Sequence, residues 1–166
     1  MAAYASLPRF FALALATALV GCADTTPHRG AAPAPGLALH AISMEPCAGC
    51  RLLRDRGFDV YVKPIPLAGS ADIERIERTN DYGDFPAIRI RFKSKASGRL
   101  LRATSERVHE SLAWIVDDAI LTVANVNEPF GADMLFTGVD TAEADRLYAR
   151  MTGAASRMGE QRRRSE

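Results

Sequence analysis

A β-hairpin is the feature of this sequence that most restricts its fold. Two apolar segments, Leu112 to Val116 and Ile120 to Val126, flank the polar pair Asp117-Asp118. Two-residue loops of this kind join the antiparallel strands of a hairpin. The two carboxylates are solvated on such a turn and have no partner base, so we interpret them as turn residues and not as a catalytic pair.

Alternating apolar and polar side chains predict further strands. Ile73 to Thr79 stays ambiguous, because Ile73 and Ile76 are three residues apart. Arg51 to Arg56 is a short basic stretch that ends at Gly57. The strands predicted from the alternation are Leu37 to Ile42, Phe58 to Ile65, Ala87 to Phe92 and Met134 to Thr137.

Two segments have helical spacing. Ser97 to Val108 places its apolar residues on one side and its charged residues on the other. A second helix is predicted to begin at Asp140, with Glu143 three residues on, and to run to about Met151 before Gly153. Two helices among six or so strands predict an α+β fold, with both helices packed on one face of a mainly antiparallel sheet.

The N-terminal residues predict export from the cytoplasm. Arg9 precedes the apolar run Phe10 to Val20, which is shorter than the roughly 20 residues of a membrane-spanning helix. The run ends in Leu19-Val20-Gly21-Cys22, which resembles the bacterial lipobox, where the leader is cut before a cysteine that receives a lipid. The alternatives are an ordinary signal peptide with a chance cysteine and an uncleaved anchor helix. We expect lipidation of Cys22 and a location on the extracytoplasmic side of a bacterial membrane.

Composition divides the remaining chain. Residues 22–36 are rich in Ala and Pro and predict a flexible tether. Residues 37–153 have the length of a single domain. Residues 154–166 predict a disordered basic tail. The net charge of +1 gives no global electrostatic case for nucleic-acid binding. No second apolar run has spanning length, so we do not expect the chain to form a membrane channel.

The cysteines leave several possibilities open. Lipidation of Cys22 would leave Cys47 and Cys50, in a CxxC arrangement, as the remaining pair among three cysteines. They can form a local structural disulfide, a redox-active pair, or free thiols or metal ligands. A structural zinc site needs four ligands, and the three histidines are scattered, so we expect no metal.

A thiol–disulfide oxidoreductase is the alternative function that this pair suggests. A CxxC that follows a strand and opens a helix has a lowered thiol pKa. Phe85-Pro86 imitates the proline that faces the cysteines in thioredoxin-like folds. Against this hypothesis, the chain from Cys50 to Gly57 is too short for the long first helix of such folds. No phosphate-binding loop, Ser–His–Asp order or HExxH motif is present, so we expect no cofactor, small-molecule substrate or other catalytic site.

The residues from Tyr61 to Met151 resemble the head of the first periplasmic domain of SecD and SecDF, accessory subunits of the Sec export channel. The similarity lies in the order and spacing of short segments. These are Pro66 to Ile73 for "L-T-G-A-D-I", Pro86 to Ile90 for "P-A-V-S-L", Gly98 for the glycine opening the first helix, Leu112 to Asp118 for "L-A-I-V-L-D-G", Ile120 to Thr122 for "V-L-S", Asn127 to Gly131 with Thr137-Gly138 for "x-E-P-I-x-G … I-T-G", and Ala142 to Leu147 for "E-E-A-x-x-L".

The sequence also departs from that pattern. His109 and Asp118 stand where the family usually has glycine, and Ala124 where it usually has proline.

The resemblance implies a non-enzymatic surface that holds emerging preprotein beyond the membrane. The expected partners are therefore exported or unfolded polypeptide, or another envelope protein, with the lipid on Cys22 holding the domain at the membrane. An unrelated binding role on the same fold is the other possibility.

Overall fold

The computed structural model describes residues 30–81 and 83–154. The predicted leader, Cys22 and all but the first residue of the predicted basic tail lie outside these residues. In chain order, the described elements are β1 (Ala38–Ser43), β2 (Arg51–Asp55), β3 (Phe58–Val62), β4 (Ala68–Gly69), β5 (Ile73–Asn80), β6 (Pro86–Phe92), α1 (Ser94–Ser105), β7 (Ser111–Val116), β8 (Ala119–Asn125), β9 (Asp133–Phe136) and α2 (Thr141–Met151). Neither helix in this part of the chain has the length and apolar character needed to cross a bilayer.

The strands form two antiparallel sheets. The larger sheet has the order β2-β3-β1-β7-β8, with the short β4 also paired to β1, and the smaller has the order β5-β6-β9. The α+β class and its antiparallel pairing are confirmed. The sequence predicted one sheet, whereas the structure divides the strands because β5, β6 and β9 pair with no strand of the larger sheet within the described residues.

The predicted hairpin is present. β7 and β8 pair from Ser111 opposite Asn125 to Val116 opposite Ala119. Asp117 and Asp118 connect them with φ angles of 47° and 63°. Positive φ at both central residues belongs to a type I′ turn, which matches the right-handed twist of the strands.

Residues 51–55 form a strand that the sequence did not predict. β2 pairs along its whole length with β3, and the turn Arg56-Gly57 between them again has positive φ at both residues. Leu53 packs into an apolar cluster, whereas Leu52 is 49% exposed. β2 lies at the edge of the sheet, and most of its side chains are exposed to solvent. Its basic residues therefore hide the alternation of apolar and polar side chains by which a strand is predicted.

The larger core lies between the two sheets and the helices. β1 and β7 contribute Leu39 and the fully buried Trp114, and α1 and α2 contribute Leu100 and Leu147. Burial of these apolar side chains supplies most of the driving force for folding, at about 25 cal/mol per Å².

A smaller core fills the opposite side of the larger sheet. Its buried members are Ile42, Val60, Val62, Ala113 and Ile115. The sheet curls around them, so that its two edge strands β2 and β8 approach each other without forming a ladder. An ion pair between Arg51 and Asp118 connects the two edges.

Residues 30–36, which composition assigns to the tether, pack on the domain. Ala31 exchanges backbone hydrogen bonds with Ile76 of β5, at 2.8 and 2.9 Å. The Ala34 N–H donates to the Met151 carbonyl at the end of α2 at 2.6 Å, and Ala34 is buried. The small alanine side chains permit this close approach, so the folded domain begins before Leu37.

Both helices begin and end for identifiable reasons. The Asp140 carboxylate accepts a hydrogen bond from the Glu143 N–H at 2.8 Å, as the sequence predicts, and α2 ends before Gly153, whose φ is 68°. α1 begins at Ser94, three residues earlier than predicted, after Lys93 in an extended conformation. Gly98 therefore lies inside α1 and does not open it.

Candidate functional site

The CxxC pair lies in the connection between β1 and β2. These two strands run parallel, because each is antiparallel to β3, which lies between them. The chain must therefore cross over β3 within residues 44–50, a much shorter connection than the dozen or more residues usual for parallel strands. A disulfide joins Cys47 to Cys50, and Gly49 between them has a φ of 72°. The short crossover thus contains a disulfide-linked turn.

This turn forms one wall of a groove of about 390 Å³, which we call the disulfide groove. The opposite wall is the β3–β4 connection, where Ile65 lies between two prolines and is 79% exposed. Met44, at the start of the crossover, is 61% exposed. The groove is lined by Ala41, Cys47, Ala48, Cys50, Lys63, Pro64, Ile65, Leu67 and Arg107. Its lining is mainly apolar, which suits contact with apolar side chains.

The two cations of the disulfide groove have carboxylate neighbours. Lys63 Nζ and Arg107 Nε each lie 3.9 Å from Glu110 Oε2. Arg107 Nη1 also donates to the Ala103 carbonyl at 2.6 Å. Because these charges are shared with Glu110, the groove presents apolar surface with polar sides instead of a strong positive field.

Sequence reasoning found the cysteines of this groove but missed Lys63, Ile65 and Arg107. Arg107 follows α1, and only the fold brings it to the β1–β2 connection. Ile65 had a usable signal. An isoleucine between Pro64 and Pro66 cannot extend a strand ladder, so its apolar side chain is a candidate for exposure.

The redox hypothesis requires a helix after Cys50, and the structure has a strand there. Cys50 is followed directly by strand β2, so the pair does not open a helix whose N-terminus would lower the thiol pKa. Pro86, the residue that imitates the thioredoxin-like proline, begins β6 of the smaller sheet. Within the described residues, no group of three His, Cys, Asp or Glu side chains is arranged to hold a metal ion.

A second groove, of about 460 Å³, lies between α2, β8 and the β2–β3 turn. We call it the arginine groove. Leu121 and Leu147, both buried, are among its apolar lining residues. Its charged residues are Arg56, Glu143, Arg146 and Arg150. No local sequence pattern predicts this groove, because its lining residues come from three separate elements.

Two of the short segments that carry the family resemblance have identifiable structural roles. In the first, the Asp72 carboxylate accepts from the Gly69 N–H and pairs with Arg99 of α1, both at 3.0 Å. Burial raises the pKa of Asp72, but these two interactions outweigh it and hold the pKa below the usual 3.8. In the second, the Phe130 N–H donates to the buried hydroxyl of Thr104. Both segments fasten a loop to α1.

Two departures from the family pattern adopt the backbone conformation that glycine would supply. His109 and Asp118 have φ angles of 72° and 63°. Glycine reaches this left-handed region without steric cost, whereas other residues do so rarely. The local conformation is therefore kept although the glycine is not.

Comparison with known proteins agrees with this architecture. The model of the SecDF P1 head subdomain matches residues 50–155. No curated protein matches.

Two solved SecDF structures are similar. One, described as a membrane component that enhances protein export, has 17% identity and a TM-score of 0.43, over 55% of this chain and 43% of its own. The other, SecDF in a super-membrane-facing form, has 14% identity and a TM-score of 0.49, over 74% of this chain and 19% of its own. The chain thus spans less than half the length of either.

The family match covers more than half of the chain and includes β2 to α2, with both helices and the loops that Asp72 and Thr104 fasten to α1. This protein belongs to the SecDF P1 head subdomain family.

Proposed function

We propose that this protein is a non-enzymatic, membrane-tethered module of the cell envelope that binds exported or unfolded polypeptide as an accessory to protein export. Membership of the SecDF P1 head family supports a role related to SecDF. The observation that carries the binding role is the disulfide groove, where an apolar lining is combined with the highly exposed Ile65.

The chemistry of this groove fits an apolar segment of an extended chain. Ile65 lines the groove, and Met44 lies at the start of the crossover that carries the cysteines. Both expose large apolar surface, which is unfavourable in water unless a partner covers it. An unfolded exported polypeptide presents apolar side chains that a folded protein has already buried. Lys63 and Arg107 at the sides of the groove can donate hydrogen bonds to the main-chain carbonyls of such a chain.

The proposed anchor is a lipid on Cys22. Its support is the apolar run that ends in Leu19-Val20-Gly21-Cys22. A lipid there would hold the domain on the extracytoplasmic side of the membrane, at the place where exported chains emerge. Mass spectrometry of Cys22 in the purified full chain tests this part of the proposal separately.

In-cell photo-crosslinking tests the binding role. A benzoylphenylalanine at Ile65 should capture exported polypeptides in their unfolded state, and the yield should fall when export is blocked. The matched control is the same probe at Leu101, which is 49% exposed on α1 and does not line the disulfide groove. With the probe at Ala48, Ile65→Glu should reduce capture several-fold.

Two results would overturn this function. Equal capture of exported polypeptide from positions 65 and 101 would show that the groove has no special affinity. Capture of one folded envelope protein, independent of export, would assign the groove to a dedicated partner instead.

A further inference from the structure

We propose that the arginine groove is a binding site for anionic phospholipid headgroups, so that one face of the domain docks on the membrane that anchors it. The inference rests on the lipid anchor at Cys22 that forms part of the proposed function. It concerns a surface separate from the disulfide groove, since the two grooves share no lining residue.

The charges of the arginine groove are unbalanced. Arg56 pairs with Glu143 at 3.6 Å. Arg146 and Arg150 line the same groove and have no ion-pair partner within residues 30–81 and 83–154. These two residues are one helical turn apart on α2, so both guanidinium groups project from the same side of the helix. Within the described residues, two positive charges without an ion-pair partner therefore lie on one side of α2.

Phosphate is the anion that this arrangement suits. A guanidinium group is planar and donates two parallel hydrogen bonds to a phosphate, and it remains charged at all relevant pH values. The apolar side chains of Leu121 and Leu147 line the same groove, which limits the water that competes for these bonds. The groove can therefore hold a phosphodiester headgroup between Arg146 and Arg150.

An exposed aromatic residue directly follows the β2–β3 turn that borders the arginine groove. Phe58 begins β3, two residues after Arg56, and is 67% exposed. An exposed phenylalanine beside cationic side chains is typical of proteins that lie on a bilayer, because the ring enters the interface while the cations contact headgroups. An acidic polypeptide would use the arginines but would not require Phe58.

The length of the proposed anchor favours a lipid surface over a soluble ligand. Gly30, the first described residue, is eight residues after Cys22. Even a fully extended chain of that length spans at most about 28 Å. A domain of this size has a radius of gyration of about 14 Å, so a tether of this length lets different faces of the domain reach the headgroups by rotation. Because the anchor holds the domain at the membrane, even a surface with low affinity for headgroups meets them at a high effective concentration.

The test uses the full, acylated chain reconstituted in vesicles. A fluorescent bimane is attached at Ala142→Cys, an exposed and uncharged position one turn before Arg146. Nitroxide-labelled lipids quench the probe only when this face lies on the membrane. We expect strong quenching in phosphatidylcholine vesicles that contain about one third phosphatidylglycerol, and weak quenching in phosphatidylcholine alone. Added salt should reduce the quenching.

Arg146→Gln/Arg150→Gln is the decisive variant. Each arginine near an anionic surface contributes about fivefold to the docking equilibrium, so this pair should lower it by about 30-fold. The matched control is Lys95→Gln/Arg102→Gln, which removes two exposed cations from α1 and should leave the quenching unchanged. Phe58→Ser should lower docking without any change in charge.

The outcomes separate this inference from the proposed function. Equal quenching in both kinds of vesicle, or quenching that Arg146→Gln/Arg150→Gln leaves unchanged, would overturn the docking site. If the same variant instead abolished polypeptide capture from position 65, the groove would be a polypeptide site. Absence of a lipid on Cys22 by mass spectrometry would refute the anchor itself, and with it this inference, whatever the fate of the disulfide groove.

Discussion

The hydroxyl of Thr104 lies 3.0 Å from the Phe130 nitrogen and 2.9 Å from the Phe130 carbonyl oxygen. It accepts from the Phe130 N–H, and its own hydrogen is within reach of the Phe130 carbonyl and of the Leu100 carbonyl, which lies at 2.9 Å. Thr104 is fully buried on α1, so the interaction fixes the loop before β9 to the helix inside the core.

Thr104→Val should therefore destabilise the fold. Valine has almost the same shape but leaves the Phe130 N–H without its partner, which costs about 1–3 kcal/mol for a buried donor. Thr104→Ser keeps the hydroxyl and should lose less. Urea unfolding followed by circular dichroism measures both values. A valine variant as stable as the parent, or less affected than the serine variant, would contradict this account.

His109→Gly should increase stability. His109 has a φ of 72°, a conformation that costs a residue with a Cβ about 1–2 kcal/mol. Its backbone N–H bond to the Val126 carbonyl does not need the side chain. After the entropy that glycine loses on folding, we expect a gain of up to about 1 kcal/mol in the free energy of unfolding. Glu110→Gly, next to it but without a positive φ, should instead lower that free energy.

Two glycines should respond to alanine in opposite ways. A Cβ on Gly131 would lie 2.8 Å from the Ser97 carbonyl oxygen, so Gly131→Ala should cost about 1–3 kcal/mol through displacement of backbone. A Cβ on Gly98 would meet only Arg102 Nη1, at 4.0 Å. Gly98→Ala should gain up to about 1 kcal/mol from helix propensity. Thermal unfolding of the two variants in parallel checks the sign of each change.

The sequence predicted the elements whose signals are local. The β7–β8 hairpin needs only two apolar segments and a two-residue turn, and α2 needs only Asp140 and Gly153 at its ends. β2 was missed because its strand character depends on pairing with β3 and on the burial of Leu53, both of which belong to the tertiary fold.

The candidate sites were predicted less well than the elements. Cys47 and Cys50 are near each other in sequence, so their pairing was an available hypothesis. The other wall of the disulfide groove comes from Ile65 and Arg107, which the topology of β1, β3 and α1 brings to the cysteines. No spacing rule contains that information.

Asp72 should make stability depend on pH in the acid range. Its pKa is lower in the folded chain than the usual 3.8, because the Gly69 N–H and Arg99 favour the carboxylate over the effect of burial. A depressed folded pKa contributes stability above the unfolded value, and this contribution is lost as the pH falls through the folded pKa. The free energy of unfolding should thus decline below about pH 4.

Asp72→Asn isolates this contribution. The variant should be less stable than the parent at pH 7. The difference should shrink as the pH falls below about 4, because the parent carboxylate takes up its proton only as the pH drops through its depressed folded pKa. Asp84→Asn serves as the control, because this carboxylate is exposed and has no ion pair within the described residues. Urea titrations at a series of pH values measure the difference. A gap between Asp72→Asn and the parent that stays constant down to pH 2 would contradict the assignment.

The Cys47–Cys50 disulfide should stabilise the crossover without acting as a redox catalyst. It closes a loop of four residues, so in the loop-entropy account it contributes about 2 kcal/mol. Cys47→Ser/Cys50→Ser should lower the unfolding free energy by about that amount. It should also reduce crosslinking from Ile65, because the cysteines form one wall of the groove.

The same pair should not be redox-active. Cys50 opens no helix whose N-terminus would stabilise a thiolate. The reduction potential of the disulfide should therefore lie far below the glutathione poise, and the protein should not reduce insulin. A potential in the range of disulfide oxidoreductases, together with insulin reduction that Cys47→Ser abolishes, would instead establish the pair as catalytic.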